Sequence, residues 1–263
     1  MDLPCRTGTN VRMGKLFEDR VALVTGGSFG IGRATAIAFA QLGTRVVVAD
    51  VVEDTATVDH IRSAGGEAIF VKCDVSNTAE VQHMVDVAIK SYGRLDFAFN
   101  NAGIEGEIGA THDCTEENWD RVVSVNLKGV WNCMKYELPH MLKRGEGAIV
   151  NNASMAGLVA LAGSPAYVAS KHGIIGLTKT AAVEYARHGI RINAVCPGSV
   201  KSPMFDRFTG KDKNTEKKFA DMAPIGRLGE PEQVAEAVIW LCSGSSTFVI
   251  GHALAVDGGW VAQ

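Results

Sequence analysis

The segment VALVTGGSFGIGRATAIAFAQLG, residues 21–43, decides the fold. It opens with VALVTG (21–26), a short apolar run ending in glycine, the pattern of a buried strand. From Ile31 onward, Ile31, Ala34, Ala38 and Leu42 recur at helical spacing, and Gly43 stands just past the helix end. Between strand and helix, Gly26, Gly30 and Gly32 form a G-x-x-x-G-x-G turn. A turn without side chains lets a pyrophosphate reach the backbone, and the helix behind it offers free N–H groups and its positive end. Turns are rich in glycine for many reasons. The placement directly between a strand and a helix is what favours the phosphate-binding reading.

The same alternation continues along the chain. TRVVVAD (44–50), AIFVKCDV (68–75), RLDFAFNNAG (94–103), GAIVNNAS (147–154), IRINAVCPG (190–198) and HALAVDGG (252–259) read as six further strands. Thr115 is a candidate N-cap for a long helix with Glu116 and Glu117 in its first turn, and Pro139 is expected to kink or end that helix near Glu137 to Leu138. Ser164-Pro165 reads as a cap plus first-turn proline for a helix reaching about His188, and Glu230-Pro231 opens another to about Ser243. Strands separated by helices pair in parallel with right-handed crossovers, giving a doubly wound α/β sheet of seven strands with helices on both faces. The polar stretch KSPMFDRFTGKDKNTEKKFADM (201–222), within an excursion over about 199–226, reads as a substrate lid or as a solvated amphipathic helix with no catalytic task.

Bulk properties narrow the classes. The chain has 263 residues, long for one domain but within the single-domain α/β range, and 46% are apolar. A net charge of −3 gives no basic surface for nucleic acid, and no apolar run has the length of a membrane span. Residues 1–15 read as a flexible extension, with 1–12 a loose arm, and 16–263 as one domain. The start has no apolar core like that of a secretory signal. Six cysteines show no Cys-x-x-Cys spacing and seven histidines no HExxH, so no metal site is expected. Cys73 and Cys196 lie in strand-like runs, as buried reduced thiols do, and a reducing cytoplasm fits best.

Asp50 closes the second strand, 24 residues after Gly26. A carboxylate near this offset can accept hydrogen bonds from both ribose hydroxyls of an adenosine and would repel a 2′-phosphate. Val51 supplies no compensating cation, so NAD is expected over NADP; Arg33, just past Gly32, is the one residue that softens this.

YVASK (167–171) places Tyr167 and Lys171 one helical turn apart. Alone, such a pair reads as solvated surface neighbours more often than as a catalytic pair. With the surrounding motifs, however, the chain resembles the short-chain dehydrogenase/reductase family from about Leu16 to Trp260. TGGSFGIG resembles that family's TGxxxGIG turn, whose backbone would meet the cofactor at Gly26, Ser28, Phe29, Gly30 and Ile31. Asp74-Val75 resembles its adenine-contacting pair, and Asn100-Asn101-Ala102-Gly103 its NNAG loop. Asn126, Ser154, Tyr167 and Lys171 match its catalytic tetrad, Pro197-Gly198 the turn beside the nicotinamide, and VDGG (256–259) its C-terminal signature. The resemblance implies a Rossmann-like fold, an NAD(P)-dependent alcohol dehydrogenase or reductase acting on a small-molecule alcohol or ketone, and a homotetramer. It further implies cofactor contacts from Asn101, Ala102, Gly103, Tyr167, Lys171, Pro197, Gly198, Val200 and Ser202. The last stands where the family often has a threonine. The family's Asn126 counterpart positions a water linked to the lysine; without the resemblance, Asn126 reads as a polar residue bending a helix.

In this reading Tyr167 is the general base and Ser154 steadies the reacting oxygen. A cation about 4 Å from a phenolate at an effective dielectric of 20 is worth roughly 4 kcal/mol. That is about three pKa units, enough to bring a phenol from about 10 towards 7. The substrate pocket is expected from Ser154 to Leu158, Tyr167, Gly198 to Met204 and the following excursion, with Glu105 at its rim. The apolar neighbours Met155, Leu158, Val159, Met204 and Phe205 suit a secondary alcohol, whether a cyclic alcohol, a diol or a sugar. Trp119, Trp131, Trp240 and Trp260 read as core residues, some of them serving as interface anchors. Two rivals stay open: an NADPH-dependent ketone reductase of the 3-oxoacyl-carrier-protein type, and a non-catalytic nicotinamide-binding regulator.

Overall fold

The computed structural model describes residues 16–263, so the expected extension at 1–15 lies outside the described residues apart from its boundary. Seven strands, β1 (Val21–Thr25), β2 (Arg45–Asp50), β3 (Ala68–Lys72), β4 (Phe97–Asn100), β5 (Gly147–Asn152), β6 (Ile190–Pro197) and β7 (Ala253–Val256), form one sheet in the order β3-β2-β1-β4-β5-β6-β7. Every pairing is parallel. The connections hold α1 (Gly30–Gln41), α2 (Ala56–Ser63), α3 (Thr78–Tyr92), α4 (Glu116–Val123), α5 (Gly129–Arg144), α6 (Pro165–Tyr185), α7 (Pro203–Thr209), α8 (Lys213–Met222) and α9 (Pro231–Cys242).

Strand alternation divides the core. Ala22, Val24, Val46 and Val48 face one layer with Ala36 and Phe39 of α1 and Val234 and Val238 of α9. Val21, Leu23 and Val47 face the other, with Met84 of α3, Met134 of α5 and Ile174 of α6. Because successive side chains leave opposite faces, one strand such as β1 can be buried on both sides. The order of strands reverses between β1 and β4, and ligands of such sheets bind outside the carboxyl ends at that switch point.

The strands end earlier than the sequence pattern implied. β3 stops at Lys72 instead of Val75 and β4 at Asn100 instead of Gly103; the residues beyond them leave the sheet as loops at its carboxyl edge. Thr115 caps α4 as expected, its Oγ1 accepting from the Asn118 N–H at 3.1 Å. Pro139 does not end α5, which continues to Arg144 and stops at Gly145 with φ 72°. Pro139 and Lys135, whose carbonyl loses its N–H partner, lie on the exposed side of the helix, where solvent can serve that carbonyl. Ser164 occupies the cap position of α6, yet its hydroxyl makes no capping bond; Pro165 in the first turn starts the helix without it. Trp119, Trp131 and Trp240 are 42%, 44% and 41% exposed, so they are not core residues. The 199–226 excursion is not a long loop but two short helices, α7 and α8, tied to the body by a parallel bridge between Val200 and Gly229.

Candidate active site

The glycine turn is built by close approach. Gly26 and Gly30 hold φ of 60° and 52°, which side chains disfavour. A Cβ on Gly32 would lie 2.0 Å from the Gly26 carbonyl oxygen and 2.6 Å from Asn101 Nδ2, so only glycine lets α1 start this near the turn. Asn101 locks the turn from the far side of the switch point: its Nδ2 donates to the Thr25 and Gly26 carbonyls at 2.9 and 3.0 Å. Its backbone N–H and that of Ala102 donate to Thr25 Oγ1. Asn152 Nδ2 then donates to Asn101 Oδ1 at 2.9 Å, joining the ends of β4 and β5.

These loops surround a cavity of about 520 Å³. Every residue named above for the cofactor lines it except Ser28, which is fully buried beneath the turn. The Ser28 N–H donates to Asp50 Oδ2 at 3.1 Å, and the Val52 N–H donates to Asp50 Oδ1 at 3.2 Å. Both carboxylate oxygens are thereby fixed with lone pairs to spare. Arg33 does not line the cavity. Ser202 lies against Gly30 on the cavity wall: a Cβ on Gly30 would meet Ser202 Cβ at 3.2 Å. The Ser202 hydroxyl caps α7 by accepting from the Phe205 N–H at 3.2 Å. The bare backbone at Gly26 and Gly30 and the fixed Asp50 carboxylate, all lining the cavity, together fit a dinucleotide.

Three of the four expected catalytic residues meet on one wall. Ser154 follows β5 in extended conformation, its Oγ accepting from the Ala156 N–H at 3.1 Å. Tyr167 and Lys171 lie one turn apart near the start of α6. Lys171 Nζ donates to the Asn152 carbonyl at 2.8 Å and stands 5.5 Å from the Tyr167 ring centroid. Asn126 lies behind this wall, not in it. Its Oδ1 accepts from the Ile104 N–H at 2.8 Å and its Nδ2 donates to the Ile104 carbonyl at 2.9 Å, with Ser170 Oγ also within reach at 3.2 Å. It sits in a π turn, Ser124–Lys128, between α4 and α5. That widened turn brings the amide to the loop after β4, and a helix interrupted at a functional position is where such turns recur.

The electrostatics differ from the sequence expectation. Burial pushes the Tyr167 phenol above its ordinary value; a hydrogen bond with Ser154 pulls it down, and Glu105 pushes it further up. Burial also pushes Lys171 down to about 8. The ammonium is committed to a carbonyl and lies beside the ring, so it does not offset the desolvation of the phenol in the way the isolated pair implied. Cys196, behind Lys171, is pushed up to about 11 by burial and stays a thiol.

At the other end of the cavity stand Met155, Leu161, Met204, Phe205, Phe208 and Phe219, with Glu105 and Arg207. Leu158 and Val159, expected there, do not line it. Phe208, Phe219 and Arg207 come from α7 and α8, in the excursion expected to line the pocket; the sequence singles out Phe205 there but not these three, because the stretch is largely polar.

The family model described as Enoyl-(Acyl carrier protein) reductase matches residues 26–261. Cyclohexanol dehydrogenase of Acinetobacter sp. (strain SE19) is 44% identical over 253 residues, covering 95% of this chain and 98% of that protein. Cis-4-hydroxycyclohexanecarboxylate dehydrogenase of Sinomonas cyclohexanicum is 43% identical over 251 residues, covering 95% and 100%. The crystal structure of levodione reductase superposes with a TM-score of 0.90 at 36% identity, covering 94% of this chain and 99% of that one.

Proposed function

The chain belongs to the short-chain dehydrogenase/reductase family, an oxidoreductase acting on CH–OH groups, and from that premise we propose that it interconverts a cyclic secondary alcohol and its ketone with NAD. The observation that carries this reading is one cavity with Asp50 and the glycine turn at one end and Ser154, Tyr167 and Lys171 on the wall of the other. The names of two relatives, for cyclohexanol and for a hydroxycyclohexanecarboxylate, support a six-membered ring. So does the apolar substrate end.

When bound, the nicotinamide accepts the hydride and, in its oxidised form, carries positive charge. Gly26, Gly30 and Ile31 would hold the pyrophosphate, Asp50 the adenosine ribose, Asp74 and Val75 the adenine. Lys171 would hold the nicotinamide ribose. Ser154 donates to the reacting oxygen and Tyr167 exchanges the proton with it. Asn126 keeps Ile104, and with it the loop beside Lys171, in place. The raised phenol makes Tyr167 a ready acid for ketone reduction and a base only as pH rises.

Asp50 lines an end of the cavity that no described lysine or arginine lines, which supports NAD over NADP. An absorbance screen at the reduced-nicotinamide band tests the whole reading, with cyclohexanol, cyclohexanediols, sugars and linear alcohols against NAD and NADP in parallel. Oxidation of a ring alcohol with NAD at least thirtyfold better than with NADP is the expected result. NADPH-driven reduction of 3-oxoacyl thioesters alone would establish the ketoreductase alternative instead.

A homotetramer is proposed on the exposed Trp131 of α5 and Val183 of α6, the two long central helices, and sedimentation of the native chain tests it. Among the described residues no helix is long and apolar enough to cross a membrane. The five described cysteines are free thiols, which supports a reducing cytoplasm.

A further inference from the structure

At the substrate end, Arg207 of α7 grips Glu105 of the loop after β4, a residue 102 positions away in the chain. Nε donates to Oε1 at 2.8 Å and an Nη donates to Oε2 at 3.2 Å, the two-pronged geometry that makes guanidinium–carboxylate pairs directional. Both side chains line the cavity, Glu105 more shielded at 22% exposure than Arg207 at 59%. The wall around them is apolar. The helix that carries Arg207 packs against α8. Phe219 of α8 takes Phe205 and Phe208 edge-on at 5.7 and 5.5 Å and stacks on Trp260 at 6.3 Å.

Arg207 and Lys171 are the cations that line this cavity among the described residues. Lys171 is occupied by the Asn152 carbonyl and belongs to the proton-transfer wall. Arg207 is occupied by Glu105. A substrate carboxylate entering here would therefore find no guanidinium to pair with and a fixed carboxylate facing it.

We infer that Glu105 and Arg207 are specificity-determining residues: their pairing fastens α7 over the substrate end and makes it select uncharged alcohols over those bearing a carboxylate. This rests on the cyclic-alcohol reading and narrows it to neutral rings. Removing the Glu105 charge alone would release a guanidinium into an apolar pocket, where a bound carboxylate gains a charge-assisted pair.

The test compares two probes of nearly the same shape, cyclohexanecarboxamide and cyclohexanecarboxylate. Their dissociation constants are measured calorimetrically in the presence of NADH, for the native chain and for Glu105→Gln, Glu105→Asp and Glu105→Gln/Arg207→Gln. The native chain and Glu105→Asp are expected to favour the carboxamide by about tenfold. Glu105→Gln is expected to move the ratio at least about tenfold towards the carboxylate, and the double variant to move it back. A ratio constant within twofold across all four proteins, a double variant that still favours the carboxylate, or no binding of either probe to Glu105→Gln would overturn the inference. Because the readout needs no turnover, a charge-dependent ratio in a protein that oxidises no ring alcohol would fault the substrate reading and leave this pairing intact.

Discussion

Lys171 Nζ stands 5.5 Å from the centre of the Tyr167 ring and gives its hydrogen bond to the Asn152 carbonyl, not to the phenol. The two side chains share one face of α6, as their spacing requires, but the cation's hydrogen bond goes to β5. The surroundings penalise both charged forms: burial raises the phenol and lowers the lysine.

A pH profile separates the two accounts of Tyr167. Oxidation needs the phenolate. With the phenol held above its ordinary value, kcat/KM for alcohol oxidation should climb roughly tenfold per pH unit between 6 and 8. Reduction needs the neutral phenol, abundant throughout that range, and should be nearly flat. An oxidation rate that levels off near pH 7 would mean that the phenol ionises there, as the charge argument from the Tyr167–Lys171 spacing implied.

Tyr167→Phe should fold and still bind NAD while losing at least about a thousandfold in kcat, from removal of the proton carrier and of its orienting hydrogen bond. Near-normal turnover in this variant would refute the mechanism.

Replacing Asp50 by serine removes the carboxylate that repels a 2′-phosphate while keeping an acceptor for the Ser28 N–H. The ratio of kcat/KM for NAD to that for NADP should fall by at least about tenfold, mostly through KM. An unchanged ratio would show that another group sets the preference.

Gly32→Ala forces a Cβ to within 2.0 Å of a backbone oxygen unless the turn moves. Overpacking against backbone typically costs 1–3 kcal/mol, so urea unfolding should register a loss of about 2 kcal/mol or more. NAD affinity should fall with it, since the displaced atoms belong to the pyrophosphate turn. Unchanged stability and affinity would contradict the close approach described here.

Glu137 predicts a dependence of stability on pH. It is fully buried in α5, and Asn100 Nδ2 donates to its Oε2 at 3.1 Å, while Glu137 Oε1 and Asn100 Oδ1 have no partner. Burial raises its pKa from 4.5 to about 8, and the proton supplies a donor that an ionised carboxylate lacks. Because the folded pKa lies above the unfolded one, the contribution is fully present below about pH 4.5 and is lost as pH rises to about 8. The loss is on the order of a few kcal/mol. Glu137→Gln should flatten this slope and make the protein more stable than the parent at pH 8.5 in urea unfolding. Parallel slopes for the two proteins would mean that Glu137 is ionised in the folded state.

Much of the architecture, and the residues of the proposed reacting set, could be read from residue order alone. Strand and helix alternate at periods 2 and 3.6, the glycines cluster where a strand meets a helix, and Tyr167 and Lys171 must share a helix face because they are four apart. These are local constraints, written within a few residues of one another. Folding alone decided what depends on contacts between distant segments. It turned the polar 201–222 stretch into two helices whose aromatic residues close a pocket, and put Arg207 against Glu105 across 102 positions. It set Asn126 in a π turn behind the site, and directed the lysine's hydrogen bond to a β5 carbonyl. Burial and pairing are properties of neighbours in space, so no spacing rule carries them; they set the sign of the phenol's shift and the charge that the substrate end presents.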